Sequence, residues 1–267
     1  MDAVTTRMDY ALALSEEEAA RYRLMAEEAA AQEAEEWAAA GIAPSAAVAD
    51  VGCGPGAVLA VLAERLGPTG PAMGVDRDPG AVHLAERAVL GFPQASAHVG
   101  DADDTGLPPG AFDVVMCRHV LAHNGGREQR IVRHLAELAR PGGAVYLVDV
   151  DMAQLRFMPS DPALDIHDYY LRFHALRGND LSVGLELGHL LTRAGLDVER
   201  HRCLETVVRW PAGVRGPQWA AREAMVEDGV ATYDDLARWD AAFARRDREA
   251  EAWMFVPVYV AIGRRPS

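Results

Sequence analysis

From Ala46 onward, short apolar runs alternate with longer amphipathic ones. Ala47–Val51 reads as a buried strand, and Gly56–Leu66 as a helix stopped by Gly67-Pro68. Pro71–Val75 predicts a second strand, Pro79 to Leu90 a helix, Ala95–Val99 a third strand and Phe112–Cys117 a fourth. Between Arg127 and Arg140, Ile131, Val132, Leu135, Leu138 and Ala139 fall on one helical face. Pro141-Gly142-Gly143 ends that helix before a fifth strand at Ala144–Val150. Strands apolar throughout, separated by amphipathic helices, predict a parallel sheet covered on both faces.

The flanks follow other patterns. Residues 1–40 are rich in Ala and Glu, with Tyr22, Met25, Ala29 and Trp37 at roughly helical spacing. Ser15 before Glu16, Glu17 and Glu18 resembles a capped helix start, and Gly41 and Pro44 end the segment. Residues 152–181 form an irregular, partly helical insertion. Val183–Ala194 carries Leu187, Leu190, Leu191 and Ala194 on one stripe with Gly195 as its cap. Leu196–Trp210 and Met254–Gly263 read as strands, separated by a helical stretch holding Trp219, Trp239 and Phe243. The domain reading is therefore a helical cover over 1–45 and a core over 46–267, with helical insertions at 152–181 and 211–251.

Composition narrows the function. Half of the 267 residues are hydrophobic, enough for a sizeable core. The longest apolar run, around Val114 to Met116, is too short for a membrane span, and no basic-then-apolar leader opens the chain. The expectation is a cytoplasmic protein that binds no membrane. Cys53, Cys117 and Cys203 are widely spaced and suggest neither a disulfide framework nor a metal pair. A net charge of −14 opposes nucleic-acid binding. All 26 basic residues are arginine, so a P-loop, a pyridoxal Schiff base and a Tyr-x-x-x-Lys reductase are excluded.

The strongest local signal is Val48-Ala-Asp-Val-Gly-Cys-Gly-Pro-Gly56, a strand running into alternating glycines and then a helix. Glycines let backbone turn sharply and approach a ligand. A dinucleotide fingerprint would need its third glycine where Ala57 stands, and Asp50 would repel a diphosphate. Asp50 suits an ammonium group instead. Asp76, at the tip of the second strand, can accept both ribose hydroxyls, while Asp78 better fits the cap of the next helix. Gly100-Asp101-Ala102 follows the third strand and can meet an adenine edge, although Asp103 and Asp104 compete for that assignment. Phe112–His119 reads as a buried strand whose end would border the same crevice.

In this order and at these separations, the segments resemble the class I S-adenosylmethionine-dependent methyltransferases. Gly74-Val-Asp-Arg-Asp-Pro79 and Leu138-Ala-Arg-Pro-Gly-Gly143 also match, and the resemblance covers residues 46–150. It implies a Rossmann-like α/β fold: a seven-stranded, mostly parallel sheet whose last strand, Met254–Gly263, is antiparallel. It further implies S-adenosyl-L-methionine as cofactor, held by Asp50, Gly52, Cys53, Gly54, Gly56, Asp76, Arg77, Asp101, Ala102, Cys117 and Arg118. Small-molecule methyl transfer in natural-product metabolism is the implied activity, with O-, N- and C-methylation open. Homo-oligomerisation is also left open.

His119 and His123 are the candidate bases, followed by His167, Tyr169, Tyr170 and His174 from the insertion. No metal is expected. His119-Val-Leu-Ala-His123 lacks the glutamate of a zinc helix, and Asp149-Val-Asp151 more readily meets solvent or a helix terminus. Two rival functions share the layout: an NAD(P)-dependent oxidoreductase, and a member of the fold that holds the cofactor without transferring methyl, as a cyclase or interaction module.

Overall fold

A computed structural model of the chain describes residues 23, 26–248 and 251–267. The predicted helix start at Ser15, with Tyr22 and Met25, lies outside the described residues.

The strands are β1 (Val48–Val51), β2 (Ala72–Asp76), β3 (Ala95–Val99), β4 (Phe112–Arg118), β5 (Ala139–Val150), β6 (Arg156–Met158), β7 (Asp197–Arg209) and β8 (Trp253–Arg264). Their spatial order is β3-β2-β1-β4-β5-β8-β6, with β7 on the other edge of β8. The first five are mutually parallel, and β8 runs antiparallel to β5, β6 and β7. The order reverses between β1 and β4, which opens a crevice at their carboxyl ends. One strand exceeds the seven expected: β6, a three-residue ribbon from the 152–181 insertion that extends the edge vacated by β5.

Two apolar layers hold the sheet. On one face α1 (Ala34–Ala40), α2 (Ala57–Leu66) and α3 (Pro79–Ala88) bring Trp37, Leu59, Leu62 and Val82 against Met116, Tyr146 and Ile262. On the other, α4 (Glu128–Leu138) and, beyond α5 (Ile166–Leu176), α6 (Leu187–Arg193) bring Ile131, Leu135 and Leu191 against Val115, Val145 and Ala261. Each such fully buried side chain contributes about 1.5–3 kcal/mol. The helices α7 (Pro217–Ala220), α8 (Arg222–Glu227) and α9 (Tyr233–Arg246) lie between β7 and β8 in sequence, and Thr232 with Asp235 forms a capping box on α9.

Two boundaries differ from the sequence reading. The helix predicted to Arg140 stops at Leu138, and Ala139 already begins β5. Pairing with the chain's end explains this: Gly142 N–H donates to Arg265 O at 2.9 Å, and Arg265 N–H to Gly143 O at 2.8 Å. The Arg265 guanidinium also takes the carbonyls of Ala136, Glu137 and Ala139, which the helix leaves unpaired. The helix predicted over 183–194 is split into a 3₁₀ turn at Val183–Glu186 and α6. Gly184 sits tightly there, since a Cβ would lie 2.9 Å from Tyr259 Cδ2 and 2.9 Å from Val150 O.

The segment before β1 is fastened by a buried carboxylate. Glu33 is 3% exposed and accepts from Tyr146 Oη at 2.6 Å and Trp37 Nε1 at 3.2 Å. It also pairs with the Arg118 guanidinium at the end of β4. Removing one partner of a buried pair leaves the other charge unmatched. Glu33→Ala should therefore lower stability by about 3–5 kcal/mol in equilibrium urea unfolding, whereas a loss under about 1 kcal/mol would make the pair energetically equivalent to a surface contact.

Candidate active site

At the end of β1 the backbone is pinned to β2, because Gly52 N–H and Cys53 N–H both donate to Val75 O, at 2.7 and 3.0 Å. The three glycines then take positive φ values of 80°, 52° and 81°. They do so for different reasons. A Cβ on Gly52 would lie 2.2 Å from Val120 Cγ2, and one on Gly56 would lie 2.6 Å from Ala85 Cα. Those two let neighbouring elements close in. At Gly54 a Cβ would meet nothing within 4 Å, so this glycine borders open space. Ala57, where a dinucleotide fingerprint would put glycine, is the first residue of α2.

Asp76 ties the turn to the next loop: one oxygen accepts from Gly54 N at 2.9 Å and the other from Asp78 N at 3.0 Å. Asp78 caps α3 by accepting from Gly80 N at 2.9 Å. Asp50 is different. Its carboxylate is 2% exposed, and Oδ2 has no partner among the described residues. Burial pushes its carboxyl up to about 7, opposed by the Arg118 charge and reinforced by Asp76. Arg118 is the relevant cation, yet its guanidinium is committed to Glu33. A buried acceptor at a glycine turn, left without a donor, fits a ligand that brings its own N–H.

Asp101, after β3, pairs through one oxygen with Arg127, and its side chain remains 40% exposed. Asp103 carries the stronger ion pairing, with Arg127 at 2.6 Å and with Arg130, and these arginines hold its carboxyl down at about 2. This separates the acids that were ambiguous by position: Asp103 is committed to α4, while Asp101 keeps an open side. Ala102 is half-buried beside it, and Arg77 is exposed. Cys53 and Cys117 are buried, and burial pushes both thiols up, so neither is a thiolate nucleophile.

The segment after β4 carries the histidines. His119 has a φ of 53° and donates its N–H to Val148 O at 2.8 Å. The residue is exposed, and desolvation by the neighbouring protein, with the Arg118 and His123 charges, lowers its pKa and leaves a neutral imidazole at neutral pH. His123 is exposed and its pKa is lowered less specifically, by burial and by Arg77.

The His123 ring stands 5.2 Å from that of His174, which in turn stands 4.4 Å from Tyr170. Asn179 Nδ2 meets His174 Nδ1 at 3.1 Å, fixing that ring, whose pKa burial lowers to about 4. His167 and Tyr169 point elsewhere, to Met152 O at 2.6 Å and Asp235 at 3.2 Å.

Three contributors were not assigned from sequence. Glu33 falls on the four-residue stripe of Ala29 and Trp37, and an acid on that apolar stripe was its signal. Arg127, four residues after His123, had none. Asp149, expected with Asp151 to meet solvent or a helix terminus rather than a metal, is buried instead. It accepts from Ala122 N at 3.1 Å and Val150 N at 3.0 Å, so it holds the turn bearing His123, and Asp151 caps the 152–154 turn. Among the described residues no group of three or more His, Cys, Asp or Glu is arranged to hold a metal.

Comparison with known proteins agrees with this geometry. Residues 48–143 match the family model described as a methyltransferase domain. The chain is 39% identical over 106 residues to nocamycin O-methyltransferase of Saccharothrix syringae, which is 39% of this chain and 38% of that one. It is 39% identical over 71 residues to aklanonic acid methyltransferase DauC of Streptomyces sp. (strain C5), 26% of this chain and 32% of that one. The aligned part thus spans less than two fifths of the length of these relatives.

Among solved structures, one from Bacillus halodurans superposes with a TM-score of 0.59 at 17% identity, covering 88% of this chain and 98% of its own. The cyclase SpnF does so with 0.53 at 16% identity, covering 91% and 81%. The fold is therefore that of the class I, Rossmann-like methyltransferases. Within it, residues 48–143 are the part that matches the methyltransferase-domain model.

The two kinds of glycine are separable by stability. Gly54→Ala should cost about 1–2 kcal/mol for its left-handed backbone alone. Gly56→Ala adds overpacking against Ala85 and should cost about 1–3 kcal/mol more. Urea midpoints of the two variants check this; equal losses would contradict the assignment of space at Gly54.

Proposed function

We propose that the crevice binds S-adenosyl-L-methionine and that the protein transfers its methyl group to an oxygen of a small organic acceptor. The observation that carries this reading is the buried, unpartnered Asp50 oxygen at the strand end that leads into the glycine turn, where Gly54 borders open space. The cofactor, when bound, supplies a methyl on a sulfonium, already a good electrophile. The names of the two curated relatives, both methyltransferases of small molecules and one an O-methyltransferase, support the acceptor class. The net charge of −14 disfavours polyanionic acceptors such as nucleic acid. Among the described residues no helix is long and apolar enough to cross a membrane, and we read the site of action as the cytoplasm.

The roles of the chain's own residues follow. Asp50 accepts from the amino group, and the backbone of Gly52, Cys53, Gly54 and Gly56 passes close to the ligand. Asp76, oriented by Gly54 N and Asp78 N, keeps lone pairs for the ribose hydroxyls. Arg77 follows at the rim. Asp101 and Ala102 meet adenine, and the backbone at Cys117 and Arg118 borders the amino-acid end. Three carboxylates around one ligand of net positive charge give electrostatic complementarity. The covers exclude water and hold the acceptor in line for attack.

Where the acceptor must lose a proton, His123 is the better base. A general base works best with a pKa near the working pH; both imidazoles are lowered, and His119 has the adjacent Arg118 charge as a further cause. His119 serves as a neutral hydrogen-bond acceptor beside it.

The sign of the pH dependence follows from Asp50. Its folded-state pKa is raised from 3.8 to about 7, so the ligand-free fold loses stability as pH climbs from about 4 through about 7. A cationic ligand group prefers the ionised carboxylate. Affinity for S-adenosylhomocysteine should therefore rise severalfold between pH 6 and pH 7.5, with proton release visible as buffer-dependent calorimetric heat. Asp50→Asn should bind more weakly and without that pH slope. A pH-independent affinity in the unmodified protein would refute the role of Asp50.

For the transfer step, His123→Gln should lower kcat at least tenfold while leaving cofactor affinity within twofold. Turnover of methyl-labelled cofactor with a panel of phenols, enols and carboxylic acids is the assay. Unchanged kcat would remove His123 from the chemistry. Absence of turnover alongside tight cofactor binding would favour a non-transferring member of the fold.

A further inference from the structure

A second pocket lies in the cover, lined by Phe157, Met158, Pro159, Leu164, Trp210 and Arg246 among others. None of its lining residues belongs to the glycine turn or to the histidine segment. Five of those six side chains are apolar or aromatic. The sixth is a buried cation.

Arg246, the last residue of α9, is 8% exposed, and its guanidinium lies 3.9 Å from the Trp210 ring centroid and 5.4 Å from that of Phe243. Nη2 donates to Asp247 Oδ1 at 2.6 Å and to Val214 O at 3.1 Å. Nε and Nη1 are buried with no partner among the described residues. Asp247 does not match this charge by itself, because its other oxygen takes Arg215 Nη2 at 2.7 Å. Two guanidiniums thus share one carboxylate. The acid in the pocket wall, Asp161, is already held by Arg245 at 2.8 Å and Ala163 N at 2.9 Å. A buried charged donor without an acceptor is costly, and a ligand oxygen removes that cost.

We infer that this pocket binds the carboxylate or enolate of a planar organic molecule, with the Trp210 and Phe157 rings, packed on each other at 4.6 Å, forming one apolar wall beside its frame. Resting on the reading of the protein as a methyltransferase of small acceptors, the pocket anchors the acidic end of the acceptor. Arg246 supplies the charge and Trp210 holds the guanidinium flat. A neutral frame of the same shape gains only the apolar contacts, so the site selects for an anion.

The test is calorimetric binding of 2-naphthoate and of neutral 2-naphthamide to the full chain, with and without S-adenosylhomocysteine. The naphthoate should bind at least tenfold more tightly than the amide, and Arg246→Gln should abolish that preference. Met158 is 60% exposed at the rim, so Met158→Trp should weaken both probes without disturbing the fold, which a thermal melt verifies. Equal binding of the two probes, no binding of the naphthoate, a preference surviving Arg246→Gln, or binding indifferent to Met158→Trp would each overturn the inference. S-adenosylhomocysteine should bind both variants as it binds the unmodified chain, so failure of this pocket is distinguishable from failure of the cofactor reading.

Discussion

Asp50 keeps an unpartnered oxygen because Arg118, the cation whose charge acts on it among the described residues, has another partner. Arg118 leaves β4 on the same face of the sheet as Asp50, and its charge does lower the Asp50 carboxyl. Its guanidinium, however, is drawn to Glu33, which Tyr146 and Trp37 further stabilise as an acceptor. The consequence is a division of labour between two buried acids: Glu33 receives three donors from the protein, and Asp50 keeps a free oxygen. A carboxylate in this state is poorly solvated and underbonded, which is unfavourable for the empty fold and favourable for a ligand carrying a positive N–H group. The segment before β1 thereby contributes to the crevice without having to touch the ligand. It keeps Arg118 occupied.

The same economy appears at the end of β5. Asp149 is buried, and burial pushes its carboxyl up to about 6, yet it spends both oxygens on backbone N–H groups. These bonds hold the 3₁₀ turn at Leu121–His123 against the sheet edge. His123 is then aimed by a strand end rather than by a mobile loop. Asn179 performs a parallel service for His174 and, through Gly125 N at 3.4 Å, joins the histidine segment to the insertion. Chain segments far apart in sequence meet at one rim because the strand order reverses between β1 and β4.

Much of this was legible in the sequence, and the reason is periodicity. The central strands β1 and β4 and the second half of β5 are buried on both faces, so an apolar run marks them whatever their neighbours are, whereas the edge strand β3 is only partly buried. The glycine turn was legible because positive φ restricts the residue type at 52, 54 and 56. What could not be read was partnership between distant residues. Nothing local to Arg127 says that it pairs with Asp101 and Asp103, and nothing near Gly142 announces pairing with Arg265. Helical spacing alone does not say which aromatics of the cover are buried. Trp239 and Phe243 are core, whereas Trp253 is 42% exposed, and the pocket aromatics are Phe157 and Trp210. Burial on a long hairpin depends on which helices dock against it, and that is a tertiary fact.

His119 and His123 illustrate why a residue's type is a weaker guide than its surroundings. Both carry the same ring, and both follow the same strand. His119 is bent into a left-handed conformation by its hydrogen bond to Val148 O and sits against the Arg118 charge, so protonating it would add a cation beside a cation. His123 stands on the turn that Asp149 secures, beside the aromatic ring cluster of His174 and Tyr170. A proton taken from an acceptor by His123 can be passed to water, because that residue is exposed. Methyl transfer needs such a base only when the nucleophile must ionise near the transfer step. With an acidic acceptor, already deprotonated at neutral pH, alignment and water exclusion carry most of the work.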